Sequence, residues 1–248
     1  MRFKTKYLER CGIELAYQVF GEGNAEDLIF VPGIVSHIEH CHKFPGFTKF
    51  IEKLSKHYRV LLFDKRGSGL SKRIDHAPSL EERLSDIDFM MEENSSERAF
   101  LLGYSEGAQI SALYAANNPS KVSKMILVSG LPHSSKLEKL WWMPKLFKYL
   151  ILKRRVDKTV RDWGKGFFME KSLPKEFFKI MPKGFHEELS LFETDAISPE
   201  SLKKLLYKSG RHDITPFLKN VKTPTLVAHS KDDRIVPYYL GKKLNTFI

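Results

Sequence analysis

The sequence predicts an α/β fold, a mostly parallel sheet with helices on both faces, built over 248 residues. Three observations carry that expectation. Short β-branched and apolar runs alternate with stretches of helical spacing, and no internal repeat replaces that alternation. A hydrophobic content of 42% is enough to bury a full core in a single unit.

The strand runs are Ile13 to Val19, Asp27 to Val31, Arg59 to Phe63, Arg98 to Leu102, Met125 to Ser129 and Thr225 to Ala228. Between them, Phe47 to His57 and Ala108 to Asn118 have helical spacing, and the second stops at Asn117-Asn118-Pro119 as a helix should. The clearest helix is Leu80 to Glu93. Ser79 and Glu82 form a capping box after Pro78, and Leu80, Leu84, Ile87 and Met91 repeat on one face. Its carboxylates, Glu81, Glu82, Asp86, Asp88, Glu92 and Glu93, are expected on the wet side. From about Leu131 to Asn220 the rhythm breaks into a helical, basic segment rich in aromatics (Trp141, Trp142, Trp163, Phe167, Phe168, Phe177, Phe178). Inserted between two strands, it is expected above their C-terminal ends, where open α/β sheets bind ligands.

Composition narrows the partners. The net charge is +11, and Leu131 to Lys222 holds 20 Lys and Arg against 11 Asp and Glu. No zinc knuckle, RNP-type aromatic motif or helix-turn-helix accompanies that charge, so it reads as a solvated helical surface and no nucleic acid is expected as partner. Cys11 and Cys41 are too few for a disulfide framework, and MRFKTKYLERCGIEL is too charged for a signal peptide, which points to the cytoplasm. The longest apolar stretch, LWWMPKLFKYLIL, is broken by Pro144, Lys145 and Lys148 and falls short of the roughly 18 residues of a spanning helix. No membrane partner is expected.

The chemistry centres on Gly103-Tyr104-Ser105-Glu106-Gly107, which spells G-x-S-x-G between a strand run and a helical run. That context presents a serine Oγ from a sharp, strained turn as a nucleophile, and Gly103 and Gly107 remove side chains that would collide across the bend. Acyl transfer also needs an oxyanion hole, one N–H of which comes from the residue after the nucleophile, Glu106.

Here the sequence resembles the α/β-hydrolase superfamily. The loop Val31-Pro32-Gly33-Ile34-Val35-Ser36 looks like its oxyanion loop, with Pro32 where many members have histidine; the match implies that Ile34 gives the second N–H, next to Gly33. FDKRGSGLS, Phe63 to Ser71, resembles the superfamily's D-x-R-G-x-G-x-S loop. Gly67 and Gly69 lack the third glycine of a dinucleotide fingerprint, so the loop is taken as structural, with Asp64 and Arg66 pinning its shape. TPTLVAHSKDDRIVP, Thr223 to Pro237, is similar to the element bearing the triad acid, and the match puts that acid at Asp233 rather than Asp232. Ser230 replaces the usual glycine there.

The histidine base is what the sequence lacks. In the superfamily it follows the acid, beyond one more strand, yet Tyr238 to Ile248 holds no histidine. The reading is therefore an α/β-hydrolase fold with its last strand and helix missing, which leaves Thr225 to Ala228 as an uncovered apolar edge. Without a base Ser105 is a poor nucleophile, so this truncated chain is expected to be inactive. His37 and His133 lie near the site but not where the superfamily places its base, and His229 is expected to pack or bond to backbone. His37-Ile38-Glu39-His40-Cys41-His42 has metal-like spacing, but with no second ligand cluster it reads as a mobile polar loop; no metal and no cofactor are expected.

Within the superfamily the resemblance is to hydrolase-like domains at the N-terminus of bacterial class III nucleotide cyclases and some transcriptional regulators, and to their stand-alone relatives. VPGIVSHIEH, FDKRGSGLS, SLEER, YSEGAQISALYAA and RHDITPFLKNVKTPTLVAH carry it. It implies a hydrolase core over residues 1–130 and 221–248, the second part incomplete, with a helical cap over 131–220. It also implies a serine hydrolase acting on an ester or related small molecule with an apolar acyl or ring group, alone, as a homodimer or attached to a C-terminal domain. The alternative is a non-catalytic, ligand-sensing module of a cyclase or transcriptional regulator.

Overall fold

The computed structural model describes residues 4–133, 142–173, 177, 181–210 and 212–248. Its centre is a seven-stranded sheet of β1 (Lys6–Arg10), β2 (Ile13–Phe20), β3 (Asp27–Val31), β4 (Arg59–Phe63), β5 (Ala99–Tyr104), β6 (Val122–Val128) and β7 (Thr225–Ala228). The order across the sheet is β1-β2-β4-β3-β5-β6-β7. β1 and β2 run antiparallel to their neighbours and the rest are parallel.

This order sets where a ligand can sit. From β3 the chain steps to β4 on one side and then to β5 on the other, so the loops after β3 and β5 part and leave a crevice at their C-terminal ends. β5 is buried along nearly its whole length, as a central parallel strand covered on both faces must be.

One face carries α3 (Leu80–Glu93), α4 (Glu106–Asn117), α9 (Thr215–Leu218) and α10 (Tyr238–Phe247), which bury Ile87, Met90, Tyr114, Leu218 and Leu244 in one cluster. The other carries α1 (Ile38–Cys41) and α2 (Phe47–Leu54), which bury Ile38 and Ile51 against β3 and β4. Between β6 and β7 stand α5 (Lys145–Arg161), α6 (Phe167–Ser172), α7 (Phe185–Ala196) and α8 (Pro199–Ser209). Their apolar centre, Trp163, Phe192, Leu202 and Leu205, packs with Ile34 and Val35 of the loop after β3. That contact puts these helices over the crevice. Among the described residues no helix is long and apolar enough to cross a membrane.

Three expectations need correction. The sequence shows no strand before Ile13, yet Lys6–Arg10 pairs with β2 through a tight turn at Cys11 and Gly12, both at positive φ (52° and 73°). A cysteine in that turn gives no hairpin signal, and only Leu8 of the strand is buried. On α3, Asp86 is not on the wet side: it is fully buried and held by Arg66, with Nε 2.7 Å from Asp86 Oδ1. Nor is the histidine-rich segment after β3 a solvated loop. It forms α1, and His37 and His40 are buried.

Candidate active site

Ser105 sits between the last residue of β5 and the first of α4, at φ 56° and ψ −118°, a left-handed conformation that a non-glycine residue adopts only under constraint. The constraint is visible on both sides. Its N–H donates to the Val128 carbonyl of β6 at 2.8 Å, and its own carbonyl accepts from Ala108 at 3.1 Å. The flanking glycines are compulsory: a Cβ on Gly103 would lie 2.6 Å from Ala108 Cα, and one on Gly107 would lie 2.0 Å from the Val31 carbonyl oxygen.

The loop after β3 closes on the serine. A Cβ on Gly33 would come within 3.5 Å of Ser105 Cβ, and Ile34, Ser105 and Glu106 line one cavity of about 560 Å³. Neither the Ile34 nor the Glu106 N–H has an acceptor among the described residues.

Asp64 ties this loop to the one after β4. Its carboxylate accepts from Ile38 N (3.1 Å) and Leu70 N (2.9 Å), and Gly69 leaves the space, since a Cβ there would lie 2.1 Å from Asp64 Oδ2. Burial raises the Asp64 carboxyl to about 6 despite those bonds. Gly67, at φ 81°, lets the same loop turn back under Ile74.

The Glu106 side chain adds something the sequence did not suggest. It is buried against two cations, Lys65 Nζ at 2.7 Å and Arg83 Nη1 at 2.8 Å. Burial alone would raise its carboxyl, but Arg83 and Lys65 outweigh that and hold it at about 2. Burial in turn lowers Lys65 to about 8, against the pull of Glu106. An ion triad thus anchors the first turn of α4 directly behind the serine.

Asp233 lies on the loop after β7, with Oδ1 accepting from Ile235 N (2.8 Å) and Val236 N (2.7 Å). Its charge reaches the elbow: burial, then Asp233, raise the Tyr104 phenol, one residue before Ser105, to about 12. Asp232 is exposed and takes no part. His229 is close, with Nε2 3.6 Å from Asp233 Oδ2, but that N–H donates to the Val236 carbonyl at 2.8 Å and the ring is shut under Gly241. No histidine, including His37 and His133, is among the described residues lining the cavity.

A second cluster joins α1 to α7. Donor atoms of His37, His40 and Asp195 lie within 4.8 Å of one another, a trio that sequence spacing could not show because Asp195 is remote in the chain. His40 Nε2 is already bonded to Asp195 Oδ2 at 2.7 Å. The Arg73 guanidinium, bonded to the carbonyls of Asp195 and Ala196, opposes a cation there. The trio works as a clamp between the core and the helices above it.

Comparison with known proteins agrees with this fold. Residues 28–247 match the family described as alpha/beta hydrolase fold. A pimeloyl-[acyl-carrier protein] methyl ester esterase of Nitrosospira multiformis is 28% identical, over 90% of this chain and 82% of its own. A non-heme chloroperoxidase of Streptomyces lividans is 26% identical, over 75% of this chain and 68% of its own. Among solved structures, an α/β hydrolase enzyme from a Medee basin deep-sea metagenome library superposes with a TM-score of 0.78 at 20% identity, covering 98% of this chain and 86% of that one. That likeness speaks to the fold alone.

Proposed function

Because the chain belongs to the α/β hydrolase fold family, we propose that it is a serine hydrolase acting on an ester or related small molecule by acyl transfer. The observation that supports this most is Ser105, held at positive φ on the strand-to-helix turn in a cavity it shares with Ile34 and Glu106. In this reading Ser105 Oγ attacks the substrate carbonyl carbon and its proton passes to a base. The N–H groups of Ile34 and Glu106 hold the resulting oxyanion. Collapse expels the alcohol, which takes the proton, and water then releases the acid from Ser105. Asp233 is the carboxylate that orients the base. The helices α5 to α8 act as a cap over the core, and Phe167 and Phe168, which line the cavity, suit an apolar acyl or ring group. The Nitrosospira relative, by its name a methyl ester esterase, supports an ester as the scissile bond. The two free cysteines fit a reducing cytoplasm.

No histidine is among the described residues lining the cavity. That observation favours a second reading, a ligand-sensing module of the kind linked to nucleotide cyclases or transcriptional regulators. Two measurements separate them. If the hydrolase reading is right, a fluorophosphonate labels Ser105 slowly, and Ser105→Ala abolishes the label. Added imidazole, standing in for the base, then raises hydrolysis of 4-nitrophenyl butyrate several-fold over the Ser105→Ala background. If there is neither label nor Ser105-dependent rescue, the hydrolase reading is wrong.

A further inference from the structure

We propose that the cavity over Ser105 takes an anionic ligand, an apolar chain whose far end carries a carboxylate or phosphate; that this ligand is an ester rests on the hydrolase reading above. Four cations line the cavity from three segments: Arg155 and Lys158 on α5, Lys171 on α6 and Arg234 on the loop after β7. Arg155 and Lys158 are three apart on the helix and so share a face, and Leu152 and Thr159 of that face line the cavity with them.

Nothing among the described residues balances these charges. Among the described residues none of the four makes an ion pair. Among the described residues Arg234 donates only to the carbonyls of Glu170 (2.6 Å) and Leu173 (3.2 Å). The cavity's acids are already engaged, Asp162 with Lys165 at 3.2 Å and Glu106 with Lys65 and Arg83. On α5 itself Lys153 is paired, with Asp157 at 2.9 Å.

Like charges gathered over apolar walls such as Val156, Phe168 and Leu206 repel one another and focus a positive potential into the opening. An oxyanion entering there relieves the repulsion, and a guanidinium offers carboxylate or phosphate a paired set of donors. The volume, about 560 Å³, is in the range that holds a small molecule. Apolar walls with a cationic end select a chain that is apolar along its length and charged at one tip.

The test is calorimetric binding of hexanoate, hexyl phosphate and neutral hexanamide to the intact chain at low salt. One or both anions are expected to bind at least tenfold tighter than the amide, about 1.4 kcal/mol, and which one does so names the source of the charge. Arg155→Ala with Lys158→Ala removes exposed side chains and is expected to erase the preference, whereas Lys49→Ala on α2 keeps it. Anions that bind no tighter than the amide, or a preference that survives the double variant, overturn the proposal. Phosphonate labelling of Ser105 keeps the two readings apart. Labelling without anion preference sinks this inference alone, while anion preference with neither labelling nor Ser105-dependent rescue leaves the site standing and sinks the hydrolase.

Discussion

Gly107 is where a single residue controls the most of the site. A Cβ there would press on the carbonyls of Val31 and Pro32, at 2.0 and 2.5 Å, and these are backbone atoms of the loop that carries Ile34. Gly107→Ala is therefore expected to cost about 1–3 kcal/mol in urea unfolding and to slow phosphonate labelling by displacing that loop. Gly12→Ala is the control: its strain is only that of φ 73°, with nothing within 4 Å, so about 1 kcal/mol is lost and labelling is kept. Equal labelling in the two variants would mean that the loop yields without disturbing Ser105. The need for this glycine was legible in five consecutive letters, because the collision it avoids is local. The Lys65–Glu106–Arg83 triad was not, since its members stand 41 and 23 residues apart and nothing in GYSEG says that the Glu106 side chain turns inward to meet them.

At the scale of one element, α3 shows the same division. Its ends and its face could be read directly: it spans Leu80–Glu93, and Ser79 Oγ accepts from Glu82 N while the Glu82 carboxylate accepts from Ser79 N at 2.6 Å. Ser79→Ala is expected to lower stability by about 1 kcal/mol, seen as a lower urea midpoint at unchanged slope. No change would mean that Glu82, bonded also to His76, holds the helix start unaided. Asp86 could not be read the same way. An acid among acids looks solvated, and only the fold brings Arg66 from the loop after β4 to bury it. β1 escaped for a related reason, because its partner strand supplies the order that its own largely polar sequence, KYLER, does not announce.

For the whole molecule, the buried histidines set how stability responds to acid. Burial lowers His37 to about 4, helped by neighbouring His40, and burial lowers His42 to about 4 against a weaker pull from Glu39. His212 moves in the same direction, with burial again first. Between pH 6.5 and about 4 the unfolded chain therefore takes up protons at these sites that the folded chain refuses, and stability is lost as pH falls through that window. Asp64 works the other way. Its folded value of about 6 lies above its unfolded one, so it adds stability as pH falls through 6; burial raises Asp86 likewise, and His76, raised by its bonds to Glu82 and Asp75, is exposed and adds little. The expected outcome is a Tm that drops from pH 7 to pH 5. His42→Gln should drop less over the same range, because a glutamine can still meet Gln18 Oε1, which lies 2.8 Å from His42 Nε2, and has no proton to gain. Parallel Tm curves for the two proteins would remove His42 as a source. The slope then passes to His37, whose ring lies against His40 in the clamp with Asp195 that fastens α7 to the core, so that acid would loosen the helices over the cavity before it unfolds the sheet.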